Sequence, residues 1–351
     1  MARPGRHFRR RAGGRRDHRL PARPAGLLGL PGGSAPLRVR WVRPGCRAAP
    51  EPGRDAHQGE GTRVFTRVLV PLDGSAAAEA ALPYAERLAR HAGAEVLLVR
   101  VVPPPPQSVF APGRSAAAEE AAAAAYLAQL TGRPALRGLQ VAVLAVRGYP
   151  ATQIARTAAR RAGTLVVMAT RGLTGLRRAG PGSTADRVLH LSRAPVLLVP
   201  SASVGQRQER LVVGLDGSAR AEAVLAPAAD VARGLGLPLV LLHVLPPAAP
   251  ERSRQAAETY LREIGDRLTA EGLPATVAVR EGDPAEVLAA EDGRAVVALA
   301  SHGRTGLSRL LLGSVTERVV DRAAGPVLVA RVPVARRRGQ TRSRSGATRS
   351  L

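Results

Sequence analysis

The residues best suited to chemistry come as one loop written twice. In the first copy Ala169 is followed by Gly172, Gly182 and Ser183; in the second Ala300 is followed by Gly303, Gly313 and Ser314. The interval between the last two glycines is ten residues in both. Each loop leaves an apolar run that reads as a strand, and each Gly-Ser pair opens a stretch that reads as a helix. Glycine lets backbone approach a bulky anion with no Cβ in the way. A helix start with free N–H groups and a hydroxyl cap, here the serine of each Gly-Ser pair, is an anion site. Such a loop can hold phosphate through neutral backbone donors, with Arg171, Arg177, Arg178, Arg304 and Arg309 available to add charge.

A second repeated element precedes it, Asp73-Gly74-Ser75 and Asp216-Gly217-Ser218, each directly after an apolar run. In open α/β sheets ligands bind outside the carboxyl ends of the strands, where the strand order switches. An aspartate there can face a ribose, phosphates or Mg²⁺, or it can cap the following helix together with its serine. The two readings are compatible, and both stand at this point. His243 and His302 have no counterpart in the first copy, where Arg100 and Arg171 stand, so neither is read as a catalytic base.

Composition removes several other chemistries. The chain has 351 residues and a net charge of +25, and all of its basic side chains other than histidine are arginine. Without lysine there is no P-loop, no kinase strand lysine and no Schiff base. No Gly-x-Ser-x-Gly elbow, His-Glu-x-x-His or Gly-x-Gly-x-x-Gly occurs. The single cysteine, Cys46, permits neither an internal disulfide nor a thiolate metal cluster, which fits a reducing compartment. No apolar run reaches the roughly 18 residues of a membrane span. Apolar residues make up 45% of the chain and aromatics 2%, so the core is built from Val, Leu and Ala.

Strands and helices must carry these loops, and the pattern places them. Apolar runs at 68–72, 95–102, 140–146, 165–169 and 196–199 read as strands. Helical stretches lie at 76–92, 115–129, 151–161 and 183–191. Strands alternating with helices of this length predict βαβ units and a parallel sheet, and the continuous apolar runs fit strands covered on both faces. The pattern then restarts. Arg67–Ser75 (RVLVPLDGS) answers Arg210–Ser218 (RLVVGLDGS) at a shift of 143, and further matched blocks follow in the same order to Pro195 and Pro326. The reading is two domains, 63–203 and 207–333. Residues 1–62, with fourteen arginines against four acids, and the tail 334–351 read as disordered basic extensions. For 1–62 the other readings are an acid-binding arm, a transit peptide, or a translation start near Thr62. Nucleic-acid binding through these tails rests on charge alone and is set aside.

The motifs resemble the universal stress protein family: a strand ending in [PG]-x-D-G-S (Pro71–Ser75, Gly214–Ser218), the G-x-x-G-x9-G-[ST] loop, and a closing P-V-L-V-V strand (Pro195–Val199, Pro326–Ala330). The family's first loop glycine is Ala169 and Ala300 here, and Arg178–Pro181 stands in the first copy where Arg309–Leu312 stands in the second. The resemblance implies two flavodoxin-like (adenine nucleotide α-hydrolase-like) domains, each a five-stranded parallel sheet of order 3-2-1-4-5, paired through their last strands or in a homodimer. It implies a cytoplasmic, ATP-binding regulatory protein of the stress response, with Mg²⁺ at Asp73 and Asp216 and no dedicated catalytic machinery. Its nucleotide contacts fall on Pro71, Asp73, Val101, Gly172, Gly175, Gly182, Ser183 and Thr184. In the second copy they fall on Gly214, Asp216, Val244, Gly303, Gly306, Gly313, Ser314 and Val315. The alternatives are a protein-interaction module of the same fold without nucleotide, and a slow ATP hydrolase. The second site is the better formed of the two by sequence.

Overall fold

A computed structural model describes residues 40–42, 65–104, 115–170, 184–200, 203, 205–301 and 312–331. The first half contains strands β2 (Arg67–Pro71), β3 (Glu95–Val102), β4 (Val141–Arg147), β5 (Thr164–Thr170) and β6 (Val196–Pro200). The second contains β7 (Arg210–Gly214), β8 (Leu239–Leu245), β9 (Ala275–Glu281), β10 (Ala295–Ser301) and β11 (Val327–Arg331). Within each half the strands are parallel in the order 3-2-1-4-5. The last strands of the two halves, β6 and β11, lie antiparallel, with Leu197 opposite Leu328, so that one 11-stranded sheet runs through both.

The remaining strand is β1 (Arg40–Val42), antiparallel on the outer edge of β4. It corrects the reading of 1–62 as wholly without structure. Arg-Trp-Val is too short to display a period, yet it carries the aromatic and β-branched residues that strands favour. The edge of β4 offers it unpaired N–H and C=O groups.

Helices cover both faces. On one face lie α1 (Ala76–Glu79), α2 (Leu82–Ala92), α3 (Ala116–Thr131), α6 (Leu225–Leu235) and α7 (Glu251–Ala270). On the other lie α4 (Pro150–Ala159), α5 (Thr184–Leu191), α8 (Pro284–Ala289) and α9 (Ser314–Arg322). The single helix expected over 76–92 is two. Pro83 removes an N–H and crowds the carbonyl of Glu79, so the chain re-starts with proline in the first turn of α2. The same break precedes α6, where a 3₁₀ turn at Ala221–Val224 stands ahead of Pro227.

A single apolar cluster runs across the seam on the α2/α6 face, including Val70, Leu98, Val167, Leu197, Leu328, Val296, Val213 and Leu241. Alternate residues, among them Leu69, Leu97, Val166, Leu198, Val212 and Val297, are buried toward α4, α5, α8 and α9. The halves also meet through α2 and α6. Arg87 donates to the carbonyl of Leu235, and the Phe65 N–H donates to Asp230 Oδ2 at 3.3 Å.

Gly234 is the close-approach point of that crossing. A Cβ there would lie 2.8 Å from Leu88 Cδ2 and 3.3 Å from Leu88 Cα. Alanine in a helix interior ordinarily stabilises by about 0.5–1 kcal/mol over glycine. Here the sign reverses: Gly234→Ala is expected to lower stability by about 1 kcal/mol through overpacking, and Leu88→Ala in the same chain to relieve much of that loss. Denaturant unfolding of both single variants and the double variant measures it; an independent sum of the two single effects would overturn the contact.

Candidate functional site

The two Asp-Gly-Ser turns sit at the carboxyl ends of β2 and β7. Backbone pairing continues one residue past each strand, Leu72 N–H donating to Val99 O at 2.8 Å and Leu215 N–H to Leu242 O at 2.9 Å. That fixes Asp73 beside the end of β3 and Asp216 beside the end of β8. In order 3-2-1-4-5, β2 lies between β3 and β5, and β7 between β8 and β10, where the connections change face. These are the switch points at which a ligand crevice forms.

Both readings of the aspartates can now be weighed. Asp73 Oδ1 accepts from the Ser75 N–H at 2.9 Å and from its hydroxyl at 2.6 Å, while Ser75 Oγ accepts from Ala78 N–H at 3.2 Å. Asp216 Oδ1 accepts from Ser218 N–H at 2.9 Å, and Ser218 Oγ from Ala221 N–H at 3.1 Å. The serine is the cap and the aspartate braces it through Oδ1. The glycine between them is required by its backbone: φ is +92° at Gly74 and +79° at Gly217.

Behind each turn stands a group of side chains that the strand and loop motifs did not single out. Arg100, on β3, lies under Gly74 and stacks over the Tyr126 ring at 4.8 Å from its centroid. The Tyr126 hydroxyl donates to Glu79 Oε1 at 2.8 Å, and Arg133 pairs with the other oxygen. The second half repeats the arrangement, with the Tyr260 hydroxyl donating to Glu222 Oε1 at 3.3 Å, but His243 replaces Arg100. Burial and the neighbouring glutamate push both tyrosines well above the ordinary phenol value. Burial pushes His243 below the ordinary imidazole value, partly opposed by the charge of Asp216. A sequence signal for these tyrosines exists: Tyr126 and Tyr260 stand 134 residues apart, the same shift as Gly148 and Gly282.

Of the other expected contacts, Pro71 is buried at the end of β2, and Val101 and Val244 are half-buried at the ends of β3 and β8. Gly214 occupies Pro71's place. A Cβ there would lie 2.7 Å from Leu299 Cδ2. Thr184 opens α5, while Gly313, Ser314 and Val315 form the start of α9, with Gly313 as an N-cap that supplies no side-chain bond. Gly172, Gly175, Gly182, Ser183, Gly303 and Gly306 lie outside the described residues, as do His302 and the loop arginines. Among the described residues no group of three or more His, Cys, Asp or Glu side chains could hold a metal. Nor is any helix long and apolar enough to cross a membrane.

The profile of the universal stress protein family matches residues 65–200 and 208–331. A universal stress protein of Mycolicibacterium smegmatis is 33% identical over 194 residues, 51% of this chain and 66% of that protein. One from Methanocaldococcus jannaschii is 30% identical over 148 residues, 40% of this chain and 84% of its own length. The chain thus spans just under two thirds of the first relative. The crystal structure of a universal stress protein from Archaeoglobus fulgidus aligns over 76% of this chain and 98% of its own, at 23% identity and a TM-score of 0.60. At that identity the likeness is one of fold.

The two halves should respond differently to acid. The fold favours neutral His243, so its contribution is complete above about pH 6.5, the ordinary imidazole value, and is lost as pH falls through the lower folded-state value. Melting temperature followed against pH should fall less steeply below about pH 6.5 in His243→Asn than in the unaltered chain. Parallel curves would remove His243 from the acid response.

Proposed function

We propose that this chain, which belongs to the universal stress protein family, binds an adenine nucleotide, ATP, at the carboxyl end of each half-sheet and acts as a regulatory protein of the stress response. The domains are 63–203 and 207–333, held together within one chain by their last strands, and the setting is the cytoplasm. Catalysis is not part of this reading.

The observation that supports it most directly is the start of α9. A side chain closes the first turn of α1, α3 and α8, through Ser75, Ser115 and Asp283, whereas none does so on α2, α4, α6 and α7. On α9 the cap is Gly313, in an extended backbone (φ −62°, ψ 143°) that any residue can adopt, and no side chain caps the turn. Uncapped N–H groups at a helix start are the natural partners of an anion. The matching positions in the first half are Gly182 and Ser183. Pro71, Val101, Gly214 and Val244 would border the base, and Gly172, Gly175, Gly303 and Gly306 would let the loops approach the phosphates.

The residues fit Mg²⁺ only together with a nucleotide. One carboxylate oxygen of Asp73 or Asp216 is already engaged in its turn, and a metal there would need phosphate oxygens to complete its shell. Bound to the phosphates, the ion would neutralise their charge. Asp73 and Asp216 would orient it while bracing the serine caps.

Gly313→Asp tests the reading without unfolding the helix. Aspartate is a favoured cap, so stability should hold or rise. Its carboxylate would occupy the N–H groups and repel phosphate, so ATP affinity at the second half should fall on the order of tenfold or more. Calorimetry with ATP–Mg²⁺ on the unaltered chain and on this variant, with analysis of nucleotide co-purified with each, reads the outcome. A chain that carries no nucleotide and gives no heat with ATP would sink the proposal and favour an interaction module of the same fold.

A further inference from the structure

The carboxyl ends of β10 and β11 hold two polar side chains without partners. Ser301 is fully buried, and its Oγ finds no hydrogen-bond partner among the described residues. Arg331 is its register neighbour on β11, and the guanidinium Nε and Nη2 of Arg331 are likewise buried and unpartnered among the described residues. Side chains alternate along a strand, so Ser301 shares a face with Val297, and Arg331 with Val327. Val297 and Val327 are themselves register partners, and Val327 lines a cavity with Val320 of α9. Ser301 and Arg331 therefore lie on the α9 side of the sheet. Because α9 runs back between two parallel strands, its uncapped Gly313 start is at this same end.

Buried N–H groups without an acceptor, such as Nε and Nη2 of Arg331, are costly. The charge that acts on Arg331 is another cation, Arg193, which with burial pushes its pKa down. The sequence offers no remedy nearby: residues 302–311, which follow Ser301, and 332–351, which follow Arg331, contain no Asp or Glu. Among the described residues Nε and Nη2 of Arg331 have no acceptor, which an anionic ligand would supply. The first half lacks this device. Thr170 and Pro200 stand where Ser301 and Arg331 stand, at the same shift of 131. Both line an open cavity of about 880 Å³, in which Arg294 and Arg322 are already paired with Glu209 and Glu286.

We propose that Arg331 and Ser301 hold a phosphate-class oxyanion at the β10–β11 seam, a pair of contacts that Thr170 and Pro200 do not repeat in the first half. Arg331 supplies the charge and two N–H donors, Ser301 a hydroxyl donor, and the start of α9 adds backbone N–H groups. The oxyanion is either the terminal phosphate of a nucleotide bound in that half or free inorganic phosphate. The first of these rests on the nucleotide reading above; the second does not.

The test uses the full chain, with Arg331→Gln to remove the charge, Arg331→Lys to restore it, and Ser301→Ala. Calorimetry is run with ATP, AMP, adenosine and inorganic phosphate. Charge-assisted hydrogen bonds of this kind carry about a tenfold or greater change in affinity. If the oxyanion is a nucleotide phosphate, Arg331→Gln weakens ATP by that factor, leaves adenosine unchanged, and Arg331→Lys recovers part of the loss. If it is free phosphate, phosphate raises the melting temperature of the unaltered chain but not of Arg331→Gln. In phosphate-free buffer Arg331→Gln should melt no lower than the unaltered chain, since it removes buried N–H groups that have no acceptor. ATP and phosphate binding both unchanged in Arg331→Gln would overturn this inference while leaving the nucleotide reading intact. Phosphate binding with no nucleotide binding would do the reverse, and no binding of any of the four would end both.

Discussion

The antiparallel pairing of β6 with β11 is the constraint on which the rest of the structure depends. Val196–Leu198 and Val327–Val329 are almost wholly apolar, and each would be an exposed edge in an isolated half. Joined, they turn two five-stranded sheets into one and make a single apolar core continuous beneath α2 and α6. The α2–α6 crossing at Gly234 and the Arg87–Leu235 bond follow from that pairing, since they exist only when the two sheets are held at this spacing. The carboxyl ends of the two half-sheets are thereby fixed on opposite sides of the seam.

The Asp-Gly-Ser turn is the local device that repeats on this frame. In both halves the aspartate braces a serine that caps the next helix, and a glycine in left-handed backbone makes the turn possible. The difference lies one layer beneath. Arg100 fills the space under Gly74 and stacks on Tyr126, whereas a Cβ at Gly217 would meet nothing within 4 Å. His243 is shorter, and its charge depends on pH. The same backbone therefore rests on an arginine in one half and on a histidine in the other.

Much of this was legible in the residues. The buried strands announced themselves as unbroken runs such as Val68-Leu69-Val70 and Leu165-Val166-Val167, because parallel strands covered on both faces need no polar side. The restart at Arg210 gave the second half directly. What escaped had physical reasons. Arg40–Val42 is a strand only because an edge is there to receive it, and three residues carry no period. The division of α1 from α2 turns on one proline. The Arg100–Tyr126–Glu79 group draws on a strand and two helices, and its repeat is concealed because the connection before α7 is nine residues shorter, which moves the shift from 143 to 134. The start of α9 was legible as Gly313-Ser314, but as a hydroxyl-capped one; the cap is Gly313, and no side chain closes the turn. The Ser301–Arg331 pair was not, since it depends on the register between two strands that sequence alone does not supply.

The seam also bears on how such a molecule can diverge. Where two identical chains associate about a twofold axis, every substitution is present twice, and a change that improves one crevice is imposed on the other. Here the twofold relation is only approximate and lies inside one polypeptide. Each position can be altered once. Arginine or histidine beneath the turn and proline or arginine at the end of the last strand are differences that a symmetric pair could not hold. Covalent continuity fixes the ratio of the two halves at one to one and frees them to become unequal.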